Sequence, residues 1–161
     1  MTAISSIPKK EPKMSIGLVL PEDKKSDLSI KICSSDYTLF LDKIEQDSKQ
    51  REFLIKLEPN GILVNNEPFK DLRITNRSRD HSDFIYLKSI IAGRGFHWQK
   101  SISIKVLGDL HVSYTESSLF VVNRIYLEDY LMCVATSEMS GNCPLTFLEA
   151  QTIVARSWIL A

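Results

Sequence analysis

The spacing of apolar residues changes once along this chain, near Val122, and that change sets the order of its secondary structure. Upstream, the period is two. Leu28, Ile30 and Ile32 alternate with Ser29, Lys31 and Cys33, and Ile102, Ile104 and Val106 alternate with Ser101, Ser103 and Lys105. Such alternation places apolar side chains on one face of a sheet. Short apolar runs at 16–20, 37–41, 53–57, 62–64, 84–87 and 119–122 predict further strands. Turn residues separate them: Pro59-Asn60-Gly61, Asn65-Asn66-Glu67-Pro68, Gly93-Arg94-Gly95 and Gly108-Asp109. The charged stretch Asp42–Glu52 reads as a loop or a short exposed helix. Downstream, Leu127, Tyr130, Leu131, Val134 and Glu138 recur at helical spacing, with Glu128 and Asp129 in the first turn, where carboxylates suit the helix dipole. Gly141 and Asn142 break this helix, Pro144 suits a first-turn position, and Thr146-x-x-Glu149 fits a capping box. Phe147, Ala150, Val154, Trp158 and Ala161 then form a second stripe. The expected class is α+β, a mostly antiparallel β region followed by helices. The expected organisation is a flexible tail at 1–13, a β-rich region at 14–122 and a helical region at 123–161 that stops in mid-pattern, as a piece of a longer protein would.

Composition narrows the function classes. The 161 residues carry 20 Lys and Arg against 20 Asp and Glu, so the chain lacks the overall positive field with which proteins hold polyanions, and nucleic acid is disfavoured as a partner. Apolar residues make up 43%, enough for a core, yet no apolar run approaches the roughly 20 residues of a membrane span. Residues 1–15 have no apolar stretch of signal-peptide length. Cys33, Cys133 and Cys143 are too few for a disulfide scaffold and include no Cys-x-x-Cys pair. Taken alone, these features suggest a cytoplasmic protein.

Most chemistry-bearing residues resolve into ordinary readings. His81, His97 and His111 match no metal-ligand spacing, and no metal or cofactor is expected from the sequence. Cys143 precedes a helix start, which can lower a thiol pKa, but a small buried cysteine is the simpler assignment. Gly93-Arg94-Gly95 is too short for a phosphate loop, and the Arg77–His81 cluster is mixed in sign. Glu138 differs: it closes an apolar helix face beside Val134 and Met139. Partial desolvation there would raise its pKa and suit it to general acid catalysis, against the alternative of a solvated last-turn glutamate.

The same segment carries a resemblance. Val122-Asn123-Arg124-Ile125-Tyr126-Leu127-Glu128-Asp129-Tyr130-Leu131 resembles the V-N-x-x-x-L-E-x-Y-L opening of the stage II sporulation protein D (SpoIID/LytB) family, and Ser137-Glu138-Met139 its S-E-M. Pro144-Leu145, Leu148, Ala150-Gln151, Ala155-Arg156 and Leu160 fall in register on its W-P-L-x-A-L-K-A-Q-A-x-A-A-R-T-Y-A-L signature. Arg94-Gly95 resembles an upstream Arg-Gly of that family, while Cys143, Ser140 and Cys133 stand where it has Trp, Pro and Gly.

The resemblance implies a peptidoglycan lytic transglycosylase acting on the bond between N-acetylmuramic acid and N-acetylglucosamine in peptide-stripped glycan strands. Glu138 would be the catalytic acid and base, with Arg156, Ser137 and Gln151 as substrate-binding or supporting residues. It implies partners in the cell wall, glycan strands and a cell-wall amidase, and a working place in the cell envelope, exported or membrane-anchored. In that oxidising setting Cys133 and Cys143 are candidates to pair, with free thiols the preferred reading. The same family resemblance also covers amidase enhancers that do not cleave, and a wall-binding scaffold is a third alternative.

Overall fold

The computed structural model describes residues 10–47 and 49–161. In chain order, strands β1 (Lys13–Val19), β2 (Asp27–Ile32), β3 (Tyr37–Leu41), β4 (Ile44–Gln46), β5 (Glu52–Glu58) and β6 (Gly61–Val64) come first. Then follow β7 (Glu67–Phe69), β8 (Leu72–Asn76), β9 (Ile85–Ala92), β10 (Lys100–Val106), β11 (Asp109–Tyr114) and β12 (Leu119–Tyr126). Helices α1 (Leu127–Met139) and α2 (Leu145–Leu160) close the chain, and the protein is α+β. Neither helix is long and apolar enough to cross a membrane.

The strands form two six-stranded sheets, ordered β1-β12-β11-β8-β3-β4 and β10-β9-β2-β5-β6-β7. Pairing is antiparallel in β2–β5, β2–β9, β5–β6, β3–β8, β11–β8 and β11–β12. The period-two reading holds in β2, where Leu28, Ile30 and Ile32 are buried and Lys31 is exposed. Both sheets contribute to one core, in which Ile55, Leu72, Ile74, Ile85, Leu87, Val112, Leu119 and Val121 are all fully buried. Each such side chain contributes about 1.5–3 kcal/mol relative to exposure.

Two hairpins depart from the sequence expectation, for a backbone reason. Asp42 and Lys43 adopt φ of 48° and 70°, and Asn65 and Asn66 adopt 52° and 73°. Positive φ at both central residues gives the tight turn whose twist matches antiparallel strands. The stretch Asp42–Glu52 is therefore neither helix nor plain loop: its first two residues turn the chain into β4, which pairs with β3, and Glu52 opens β5. Likewise only Asn65-Asn66 turns, while Glu67-Pro68 belongs to β7. Because β7 is an edge strand, the missing N–H of Pro68 breaks no ladder.

Contacts divide the chain into a strand unit, Ser15–Arg124, and a helical unit, Ile125–Ala161 with the described residues up to Met14. The expected tail lies outside the described residues for positions 1–9, whereas Glu11–Lys13 are engaged. Pro12 O accepts the Leu127 N–H at 3.0 Å, Glu11 Oε1 accepts the Glu128 N–H at 3.0 Å, and Lys13 begins β1. These acceptors satisfy two N–H groups in the first turn of α1, which have no partner inside the helix.

In the helical unit, α1 and α2 pack together across the short connection Ser140–Pro144. α1 buries Leu127, Leu131 and Ala135, spaced four residues apart. On α2 the partly buried face is Leu148, Gln151, Thr152, Ala155, Arg156 and Ile159. The predicted stripe of Phe147, Val154 and Trp158 lies on exposed surface, with Trp158 85% accessible. The face that meets α1 mixes polar and apolar residues, which hydrophobicity alone does not pick out. The capping box does not form either: α2 starts at Leu145, Pro144 is its N-cap, and no side chain caps it.

Candidate functional site

Helical spacing places Glu138 on the same face of α1 as Leu127 and Leu131, in the last turn. Burial along that face ends at Ala135, and Glu138 is exposed. The expected partial desolvation is therefore not found. Ser140, at φ 68°, ends the helix, and the residues that follow it, Gly141 and Asn142, are themselves exposed.

The carboxyl is nevertheless held. Gln151 Nε2, from the packed face of α2, donates to Glu138 Oε2 at 3.0 Å. Its other oxygen takes no partner among the described residues. An amide donor cannot act as an acid, so the pair contains one titratable group, oriented by a neutral one. Ser137 points its hydroxyl to its own helix, donating to Val134 O at 3.2 Å.

Arg156 goes elsewhere. Its Nε donates to Glu128 Oε1 at 3.0 Å and its Nη2 donates to Glu128 Oε2, a two-pronged ion pair near the other end of α1. The Arg156 hydrogen bonds hold the Glu128 carboxyl below the usual range. Glu138–Gln151 and Glu128–Arg156 thus link the helices at two levels and fix an antiparallel hairpin. Of the four residues singled out in the sequence, the structure brings Glu138 and Gln151 together and leaves Arg156 and Ser137 on other partners.

Two motif residues have roles that the sequence reading missed. Asn123 is buried in β12, at the same parity as Val121 and Ile125. Its Nδ2 donates to Leu107 O at 2.8 Å and Asp109 O at 2.9 Å, clamping the turn between β10 and β11. A polar residue at a buried strand parity must find partners, and that was the available signal. Asn123→Ala is expected to take the side-chain donor from two part-buried carbonyls and to lower stability by about 1 kcal/mol, read from denaturant midpoints at unchanged slope. An unchanged midpoint would show that the clamp carries no stability. The second missed residue is Glu128, the helix-tying partner of Arg156.

The three cysteines are free. Cys143 Sγ donates to Met139 O, within the connection between the helices. Among the described residues, no group of three or more His, Cys, Asp or Glu side chains is arranged to hold a metal ion. A groove on the strand unit lined by Asn60, Ile62, Phe69 and Lys70 contains none of the sequence-predicted site residues.

No curated protein and no solved structure matches the chain. Residues 115–161, which include all of β12, α1 and α2, match the family model described as SpoIID, stage II sporulation protein. The matched segment contains Asn123, Glu128, Glu138, Gln151 and Arg156, so the similarity to the SpoIID family rests on the C-terminal strand and two helices.

Proposed function

We propose that this protein is a peptidoglycan lytic transglycosylase that cleaves peptide-stripped glycan strands, with Glu138 as its acid and base. The SpoIID family supports a sporulation-related role at the cell wall. The observation that carries the finer reading is the Glu138–Gln151 pair: a lone carboxyl, held by an amide donor on the opposing helix.

One carboxyl is enough for this chemistry. Ordinary glycosidases need two, an acid for the leaving oxygen and a base or nucleophile. Here Glu138 would protonate the glycosidic oxygen between N-acetylmuramic acid and N-acetylglucosamine. The carboxylate left behind would take the proton from the muramoyl 6-hydroxyl, whose oxygen attacks the anomeric carbon. The bond to the leaving sugar breaks, a 1,6-anhydro ring forms, and no water is consumed. Gln151 would be a positioning residue that holds one carboxyl oxygen and leaves the other for the proton transfer. No cofactor is needed for these steps. The substrate lies outside the cytoplasmic membrane, so the proposal places the working protein in the cell envelope, with glycan strands as its partner.

The test is product mass. Peptide-free strands digested by the protein should yield 1,6-anhydromuramic ends, lighter by one water than hydrolytic ends. Reducing ends without the anhydro sugar would indicate a hydrolase with a second carboxylate. An absence of cleavage, together with stimulation of an added cell-wall amidase, would favour an amidase enhancer.

A further inference from the structure

Between β9 and β10 the strand unit displays two aromatic rings. Phe96 and Trp98 are 63% and 52% exposed, and their rings stack with centroids 5.6 Å apart at 18°. Single exposed apolar residues are ordinary, whereas a stacked pair is a concentrated patch.

The loop is held in place before any ligand arrives. The Arg94 guanidinium donates to Asp23 Oδ1 at 2.6 Å, Asp23 Oδ2 at 2.7 Å and Leu18 O at 2.6 Å. Within the loop, the Phe96 N–H donates to Gly93 O and the Gln99 N–H to Phe96 O, both at 3.0 Å, and the Gly95 N–H donates to Gln99 Oε1 at 3.0 Å. Gly93, at φ +67°, lies so close to the indole that a Cβ there would come within 2.3 Å of Trp98 Cε3. A pre-set ring loses little freedom on binding.

Charge favours an anionic ligand at this loop. From Phe84 to Gly108 there is no Asp or Glu, against Lys88, Arg94, Lys100 and Lys105, in a chain of net charge zero. Arg94 is committed to Asp23, and Lys105 lies 4.5 Å over the Phe84 ring. Lys100, at the end of the aromatic loop, is exposed. A sugar ring offers an apolar C–H face that stacks on an aromatic ring. A glycan strand whose peptides have been removed also carries a free lactyl carboxylate on each muramic residue.

We infer that the β9–β10 loop is a binding platform for such an anionic, muramic-containing strand, with Phe96 and Trp98 stacking a sugar face and Lys100 pairing with a lactyl carboxylate. The inference rests on the glycan reading above but concerns the unit that does not carry Glu138.

The experiment uses the full chain carrying Trp158→Phe, so that Trp98 is the only indole, and Glu138→Gln, so that strands persist. Adding peptide-free glycan strands should shift Trp98 emission saturably. Phe96→Ala and Lys100→Glu should each weaken binding about tenfold. Lys100→Glu, at an exposed position, separates lost binding from lost folding. Neutral chitin oligosaccharides should bind more weakly than the strands. Silence of Trp98, with cleavage of the same strands by protein retaining Glu138, would overturn the platform and leave the transglycosylase reading standing. Binding through Trp98 without cleavage by that protein would support the platform and remove the transglycosylase. Absence of both would remove both. A shift on anionic phospholipid vesicles but not on strands, or on raising protein concentration alone, would overturn the platform in favour of a membrane surface or a second copy of the chain.

Discussion

Glu138→Gln is expected to lower cleavage of peptide-free glycan strands by roughly 100- to 10,000-fold, toward the larger end of what loss of general acid–base catalysis costs. The reason for the larger end is that one group serves both proton transfers. The amide keeps the size of the side chain and can still donate to the glycosidic oxygen, so strand binding should persist while turnover falls. Gln151→Leu removes only the donor that holds Oε2. Because Glu138 is exposed, water replaces that donor in part, and the expected loss is smaller, about tenfold, in turnover with little change in strand affinity. The measurement is the rate of release of anhydro-ended products at saturating strand concentration. Wild-type turnover in Glu138→Gln would remove this carboxyl from the mechanism and require another acid.

The strand unit was legible wherever three or more apolar residues alternate or run together. Alternation found β2 and β10, and apolar runs found β3, β5, β6 and β12. It failed for β8 and β11, whose buried residues are only the pairs Leu72 with Ile74 and Leu110 with Val112, set among Arg73, Thr75, His111 and Ser113. Two apolar residues do not make a period. Their burial at full depth comes from an interior place in the sheet and from the core they join, information that resides in other strands. The β3–β4 hairpin was hidden because Asp42-Lys43 is an uncommon choice for two positive-φ positions.

The site was legible to a different degree. The S-E-M sequence marked Glu138, and Gln151 and Arg156 were singled out on the second helix. Which residue of that helix meets the carboxyl was not readable from spacing: Gln151 and Arg156 both lie on the packed face, and the level at which the hairpin pairs decides between them. Glu128 takes the arginine, so Glu138 is left with the amide. Net charge is equally blind to placement. Net zero hides a stretch from Phe84 to Gly108 with cations and no carboxylate.

Arg94→Ala is the substitution expected to destabilise the strand unit most among the polar residues considered. Asp23 is nearly sealed, with its side chain 3% exposed, whereas Arg94 keeps 29%. Removing the arginine therefore strands a buried carboxylate, the costly way to break such a pair, at about 3 kcal/mol. In a unit of this size that is a fall of roughly 10 °C in Tm. Arg94→Lys should recover only part, because an ammonium cannot reach both carboxyl oxygens and Leu18 O in one plane. The pH dependence gives a second reading. Burial raises the Asp23 pKa, but the Arg94 hydrogen bonds and the Leu20 N–H outweigh it and hold the carboxyl below its usual range. A depressed acid contributes stability that is present above its unfolded value, about 3.9, and is lost as pH falls through the folded one. The gap between wild type and Arg94→Ala should thus be constant near neutrality and narrow toward acid pH, where protonation first relieves the Asp23 carboxylate that burial leaves unpaired in the variant. A gap that stays fixed to lower pH would show that Arg94 acts through packing of its stem. The same variant should loosen the Phe96–Trp98 loop, since Arg94 is the link from that loop to Asp23 and Leu18. Strand binding through Trp98 should then weaken even at temperatures where the variant remains folded.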